Sequence, residues 1–88
     1  MNTDDLCDLA DNVQTRSDFT NFLEQMLNNF RDHPDEWENN NLHDYLDGLF
    51  GFTTSLEGYY KNWNRDVDIE KLTWNMLADM LIAARVYE

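Results

Sequence analysis

Cys7, His33 and His43 are the side chains best suited to nucleophilic or acid–base work near neutral pH, and none has the company such work requires. Cys7 is the only cysteine and is flanked by Asp4, Asp5, Asp8 and Asp11, which oppose thiolate formation; it is expected to be a small packed residue rather than a reactive thiol. His43 with Asp44 and Asp47 sets an imidazole and a carboxylate one helical turn apart, as in a metal site, yet zinc needs more nitrogen or sulfur ligands than this chain supplies. Asn64, Asp66 and Asp68 match positions 1, 3 and 5 of an EF-hand loop, whose alternate oxygens wrap Ca²⁺. Ile69 then falls where the turn needs Gly, and Asn75 where a bidentate Glu is needed. Carboxylate pairs such as Glu36 and Glu38 do not mark a glycosidase dyad, because among 18 acidic residues some pair reaches that separation by chance. No catalytic residue, metal ligand set or cofactor is assigned, and the chain is not expected to be an enzyme.

Recognition by charge is the stronger expectation. The 18 Asp and Glu face only 6 Lys and Arg, a net charge of -12 over 88 residues, which opposes compaction by self-repulsion and suits a basic protein partner. The same sign argues against direct nucleic-acid binding and against anionic membranes. Disorder is excluded by 42% hydrophobic and 14% aromatic residues, enough for one small core, so residues 1–88 form a single domain. From Asp35 to Asp47 the chain carries Asp35, Glu36, Glu38, Asp44 and Asp47 with no Lys or Arg, around Trp37. Carboxylates around an aromatic ring complement a cluster of Lys and Arg, with the ring as anchor. Trp37 equally suits a plug over the core. Of the second aromatic group, Tyr59, Tyr60 and Trp63, at least one tyrosine is expected in the core with its hydroxyl on a polar partner, and Trp63 is the candidate for contact with a partner.

The elements that position these residues are helical. Leu6, Leu9, Ala10 and Val13 make a first stripe with Asp4, Asp8 and Asp11 opposite. Thr15 or Ser17 caps a second helix carrying Phe19, Phe22, Leu23, Met26, Leu27 and Phe30, and His33-Pro34 ends it in a short turn through Trp37. One of Asn39, Asn40 and Asn41 caps a third helix with the stripe Leu42, Tyr45, Leu46, Leu49, Phe50, Phe52, Leu56, Tyr59 and Tyr60. Gly48 and Gly51 inside it mark a close approach of neighbouring backbone. Lys61 to Asp68 suits a loop. A last helix runs from Ile69 or Thr73 to Tyr87 with the stripe Leu72, Trp74, Leu77, Met80, Leu81, Ala84 and Tyr87, and with Ala83-Ala84 packed tightly on a partner helix. Arg16 and Arg85 are expected to tie helices together. The fold class is all-α, a small bundle of four or five short helices. A lone cysteine, residues 1–14 with neither a basic start nor an apolar run, and no long apolar segment point to a cytoplasmic protein.

Four strings, Thr15-Arg16-Ser17-Asp18-Phe19, Trp37-Glu38-Asn39, Gly58-Tyr59-Tyr60-Lys61-Asn62 and Ala83-Ala84-Arg85-Val86-Tyr87-Glu88, resemble a family of small acidic bacterial proteins of poorly defined function. From Leu9 to Glu88 the chain also resembles the immunity proteins of contact-dependent growth inhibition systems. Phe52, where the wider family is expected to carry Trp, and the atypical Gly48 and Gly51 pair suggest a specialised member. The resemblance implies a cytoplasmic inhibitor of a cognate C-terminal nuclease toxin domain, such as a ribonuclease of the EndoU class. The toxin-binding residues expected are Asp35, Glu36, Trp37, Glu38, Asp44, Asp47 and Trp63. The alternatives are an acidic nucleic-acid mimic or adaptor on a basic host protein, and a small enzyme or metal-binding domain.

Overall fold

Short polar residues placed just before apolar runs set where the helices begin. Asn2 accepts the Asp5 N–H, Thr15 the Asp18 N–H, Asn41 the Asp44 N–H and Thr73 the Met76 N–H, so four helices open on a side-chain cap. The computed structural model describes residues 1–87; Glu88, the last residue of the string from Ala83, lies outside the described residues. The elements are α1 (Thr3–Asp11), α2 (Arg16–Asp32), a 3-10 turn (Pro34–Glu36), α3 (Leu42–Thr54), α4 (Leu56–Asn62) and α5 (Trp74–Ala83). The fold is all-helical. No helix among the described residues is long and apolar enough to cross a membrane.

Helix α5 is the hub, packing against α1, α2 and α3. With extents of 34 × 28 × 18 Å and helices about 10 Å wide, the molecule is two helices thick. One apolar cluster joins Leu6, Ala10 and Val13 to Phe19, Phe22 and Met26 and to Ala78 and Ile82. A second gathers Phe52, Leu56, Tyr60 and Met76. The stripe expected on α5 is only partly the buried one: Leu72 is exposed, and Met76, Ala78 and Ile82 take the core positions because a hub helix is covered from several sides. On α2, Leu27 is exposed and Asn29 is buried instead.

The expected third helix is two helices. They break at Ser55, whose N–H reaches the Gly51 and Phe52 carbonyls and whose hydroxyl accepts a bond from Tyr87 Oη at 2.9 Å. The break lets Phe52 on α3 and both Leu56 and Tyr60 on α4 enter one cluster. Helix α4 runs to Asn62, so the loop expected from Lys61 starts two residues later. Asn64 then adopts φ 55° and the Arg65 N–H returns to the Tyr60 carbonyl, a left-handed cap that suits Asn.

Gly48 and Gly51 mark close approach, not the bend. A Cβ at Gly48 would sit 2.6 Å from the Ala84 carbonyl oxygen and 2.6 Å from Asn39 Nδ2. Asn39 Nδ2 donates to the carbonyls of Ala84 and Tyr87, and the Asn39 N–H to that of Arg85, so the bare helix surface at Gly48 admits the strap that ties the segment after α5 to the α3 entry loop. At Gly51 the nearest neighbour is the Tyr87 ring at 2.9 Å, and at Gly58 there is none within 4 Å. The three glycines therefore respond differently to alanine in a denaturant titration. Gly48→Ala loses about 1–3 kcal/mol by overpacking against backbone. Gly51→Ala loses less, because a ring at the end of a side chain can shift, and Gly58→Ala gains about 0.5–1 kcal/mol from helix propensity.

Candidate functional site

Two regions hold the residues expected to make contacts. The first is the corner formed by the end of α2, the 3-10 turn and the start of α3. Pro34 opens the turn, with Asp35 exposed on it and Glu38 exposed just after it. Asp44 and Asp47 are exposed on α3; Asp44 is lowered below the usual carboxylate range by hydrogen bonds from His43 and Asn41. The His43 imidazole lies 3.1 Å from Asp44 Oδ1, but no group of three or more His, Cys, Asp or Glu among the described residues is placed to hold a metal.

Glu36 and Trp37 are turned inward instead. Trp37 Nε1 donates to Asn29 Oδ1 at 2.6 Å, and its ring stacks on Tyr45 and meets the edge of Phe30, so the tryptophan plugs the corner and is not free to anchor a partner. Glu36 Oε1 accepts from Thr3 Oγ1 at 2.8 Å and from Asn29 Nδ2 at 3.0 Å. Behind them lies Arg85, only 2% exposed, which donates to Asn29 Oδ1 and to the Ile82 carbonyl and stands over the Trp37 ring. Arg85 thus ties helices together as expected. Arg16 is exposed and does not share that role.

The second region is a cavity of about 560 Å³ between α1, α4 and α5, lined by Cys7, Asp11, Tyr59, Trp63, Arg65 and Asp79 among others. Trp63 is 68% exposed at its mouth, on different neighbours from Trp37, so the two tryptophans do not share a face. Tyr60 is buried and donates to Asp79 Oδ2 at 2.7 Å, the core tyrosine with a polar partner that the sequence suggests. Cys7 is exposed rather than packed; partial burial, opposed by Arg85 but helped by Asp11, Asp4 and Asp8, pushes its thiol up and keeps it protonated.

A family model matches residues 15–88, from the Thr15 cap of α2 onward. The chain belongs to this family of unknown function (DUF7660). Searches of curated proteins and of solved structures gave no match. Helix α1 and the link after it precede the matched span of this DUF7660 chain, yet the helix supplies Leu6 and Ala10 to the core, Thr3 to Glu36, and Cys7 and Asp11 to the cavity, and the link supplies Val13 to the core.

Asn29 and Asp79 have no counterpart in the sequence-based site. The signal for Asp79 is a single charge inside the apolar run Met76 to Ile82, which a folded chain retains only with partners. Asn29, on a helix with Asn21 and Asn28, carries no such signal. Replacing Asn29 by Ala strands the indole N–H of Trp37 and the charge of Arg85, and lowers stability by about 1–3 kcal/mol in equilibrium unfolding. Glu36 is held below the ordinary glutamate range by the hydrogen bonds from Asn29 and Thr3. Its contribution is therefore complete above that range and is lost as pH falls through the lowered value. The Tm gap between the wild type and Glu36→Ala is expected to be widest near neutral pH and to close on acidification.

Proposed function

We propose that this DUF7660 chain is a binding protein for a basic protein partner, and specifically an immunity protein that occupies the cleft of a nuclease toxin domain. The observation that carries the reading is how the cations are used. Of the six, Arg85 is buried, while Arg31, Lys61 and Arg65 are paired with Asp32, Glu57 and Asp79, so little positive charge is left to offset the exposed carboxylates.

Support also comes from α3. Leu42 and Phe50 are 72% and 73% exposed and Leu46 lies between them at helical spacing, a stripe beside a shallow groove with Leu49, Thr53 and Thr54. Asp47 adjoins the stripe, Asp44 stands in the first turn, Asp35 lies on the preceding 3-10 turn and Glu38 just after that turn. An apolar centre with a polar rim is the anatomy of a protein interface. A second copy is a poor occupant, since each carries a charge of -12 and would bring like rims together. A nuclease presents the opposite sign, because it must hold a polyanion, and an acidic face steers into its cleft in competition with RNA.

The test is co-expression with the C-terminal domain of the protein encoded immediately upstream, followed by calorimetry and stopped-flow mixing at two salt concentrations. The expected result is a complex that abolishes RNA cleavage and associates faster at low salt. Asp44→Lys combined with Asp47→Lys slows association about 10-fold or more at low salt and much less at high salt. Absence of a complex, or association indifferent to salt and to these charges, overturns the reading. Tight binding to many unrelated basic proteins assigns the chain instead to the class of nucleic-acid mimics.

A further inference from the structure

The cavity between α1, α4 and α5 has the chemistry of a cation receptor. Asp79 is 5% exposed, and only its Oδ2 is engaged, by the Tyr60 hydroxyl at 2.7 Å and by Arg65 at 3.7 Å. Oδ1 takes no hydrogen bond from any described residue. No fully buried side-chain polar atom among the described residues lacks a partner, so Oδ1 keeps some exposed surface, on a residue that lines the cavity. Burial pushes the Asp79 carboxyl up, and the pull of Tyr60 and Arg65 in the other direction does not cancel it. Its negative charge is under-compensated.

The rest of the lining points the same way. Asp11 and Asp79 against Arg65 leave the cavity one negative charge in excess, so a single added cation brings it to neutrality. Trp63 and Tyr59 supply two aromatic faces, whose electron-rich surfaces attract cations. The protein already seats one guanidinium here: Arg65 lies 4.9 Å from the Tyr60 ring centre, donates to Asn75 Oδ1 at 3.0 Å and pairs with Asp79. That seat is prepared by the left-handed cap at Asn64, which turns the chain at the end of α4.

We propose that this cavity receives one guanidinium group, the side chain of an arginine on the protein partner, held between Trp63 and Tyr59 with its charge on Asp79 and Asp11. Arginine fits better than lysine because its planar, weakly hydrated group stacks on rings and forks onto a carboxylate. The inference rests on the proposed binding role and gives it a second contact region, away from the acidic corner.

The experiment is a heteronuclear NMR titration of the full chain with N-acetyl-arginine methylamide, and with the neutral citrulline analogue of the same shape. The expected result is a saturable shift of the Trp63 indole N–H and the Cys7 amide with the arginine compound only, weakened at least tenfold in Asp79→Asn and in Asp11→Asn. Asp11 is exposed, so its variant keeps the test valid if the buried Asp79 change unfolds the chain. No saturable shift, or equal shifts with citrulline, overturns the proposal. Stronger binding of free L-arginine than of the capped compound overturns the assignment to a protein side chain and points to a small metabolite. A partner bound as tightly by Asp11→Asn and Trp63→Ala as by the wild type refutes the pocket's role and leaves the binding reading standing. Guanidinium binding without any protein complex supports the receptor and refutes the binding reading.

Discussion

A buried arginine with no carboxylate among the described residues in direct contact is the constraint from which the corner of this fold is built. Arg85 loses its hydration, which lowers its affinity for the proton, and its charge is met one step removed. Asn29 receives the guanidinium on its oxygen and donates from its amide nitrogen to the Met1 carbonyl and to Glu36, which also takes the hydroxyl of Thr3. Four elements therefore meet in one network: α1, α2, the 3-10 turn and the segment after α5. Such networks are stable only when every member is satisfied, because the low dielectric that strengthens each bond also raises the cost of an orphan. Every fully buried side-chain donor and acceptor among the described residues does find a partner.

This use of cations explains an apparent contradiction in the composition. A chain with a charge of -12 would hold together better if its few cations were spread among its surface acids. Instead Arg85 is spent in the interior and Arg65 on a buried carboxylate. The fold gains internal order at those two points, and the exterior keeps an electric field that nothing of its own neutralises. With a body only two helices thick, α3 cannot be covered on both sides, so its apolar stripe comes to lie in that field.

The local signals in the sequence were informative where a single residue type has a single physical job. Thr15 as one of two candidate caps, Pro34 as a helix stop, Gly48 as a close approach and Arg85 as a tie all follow from the residues themselves. Periodicity also located the helices, but it ranked their faces poorly on α5, because a hub helix is apolar around most of its circumference and no one stripe stands out. The break at Ser55 is set by where Phe52 and Leu56 must both point, a tertiary demand with no local marker. Glu36 and Trp37 show the same limit at the candidate site. Glu36 suits an exposed acidic face and Trp37 either an anchor or a plug, and only the position of Asn29 and Arg85 behind them turns both inward. The cavity was illegible for a related reason, since Asp11, Trp63 and Asp79 are far apart in the chain and are brought together only by packing.

The place of α5 in the chain also bears on how the protein is made. The helix on which α1, α2 and α3 all rest is synthesised after them, so the earlier helices emerge from the ribosome without the surface that covers their apolar sides. Folding is thereby deferred until α5 appears, and the network around Arg85 closes only after α5 has passed. During that interval the mutual repulsion of Asp4, Asp8, Asp11, Asp18 and the acids that follow keeps nascent chains apart. The acidity that opposes the finished fold protects the unfinished one.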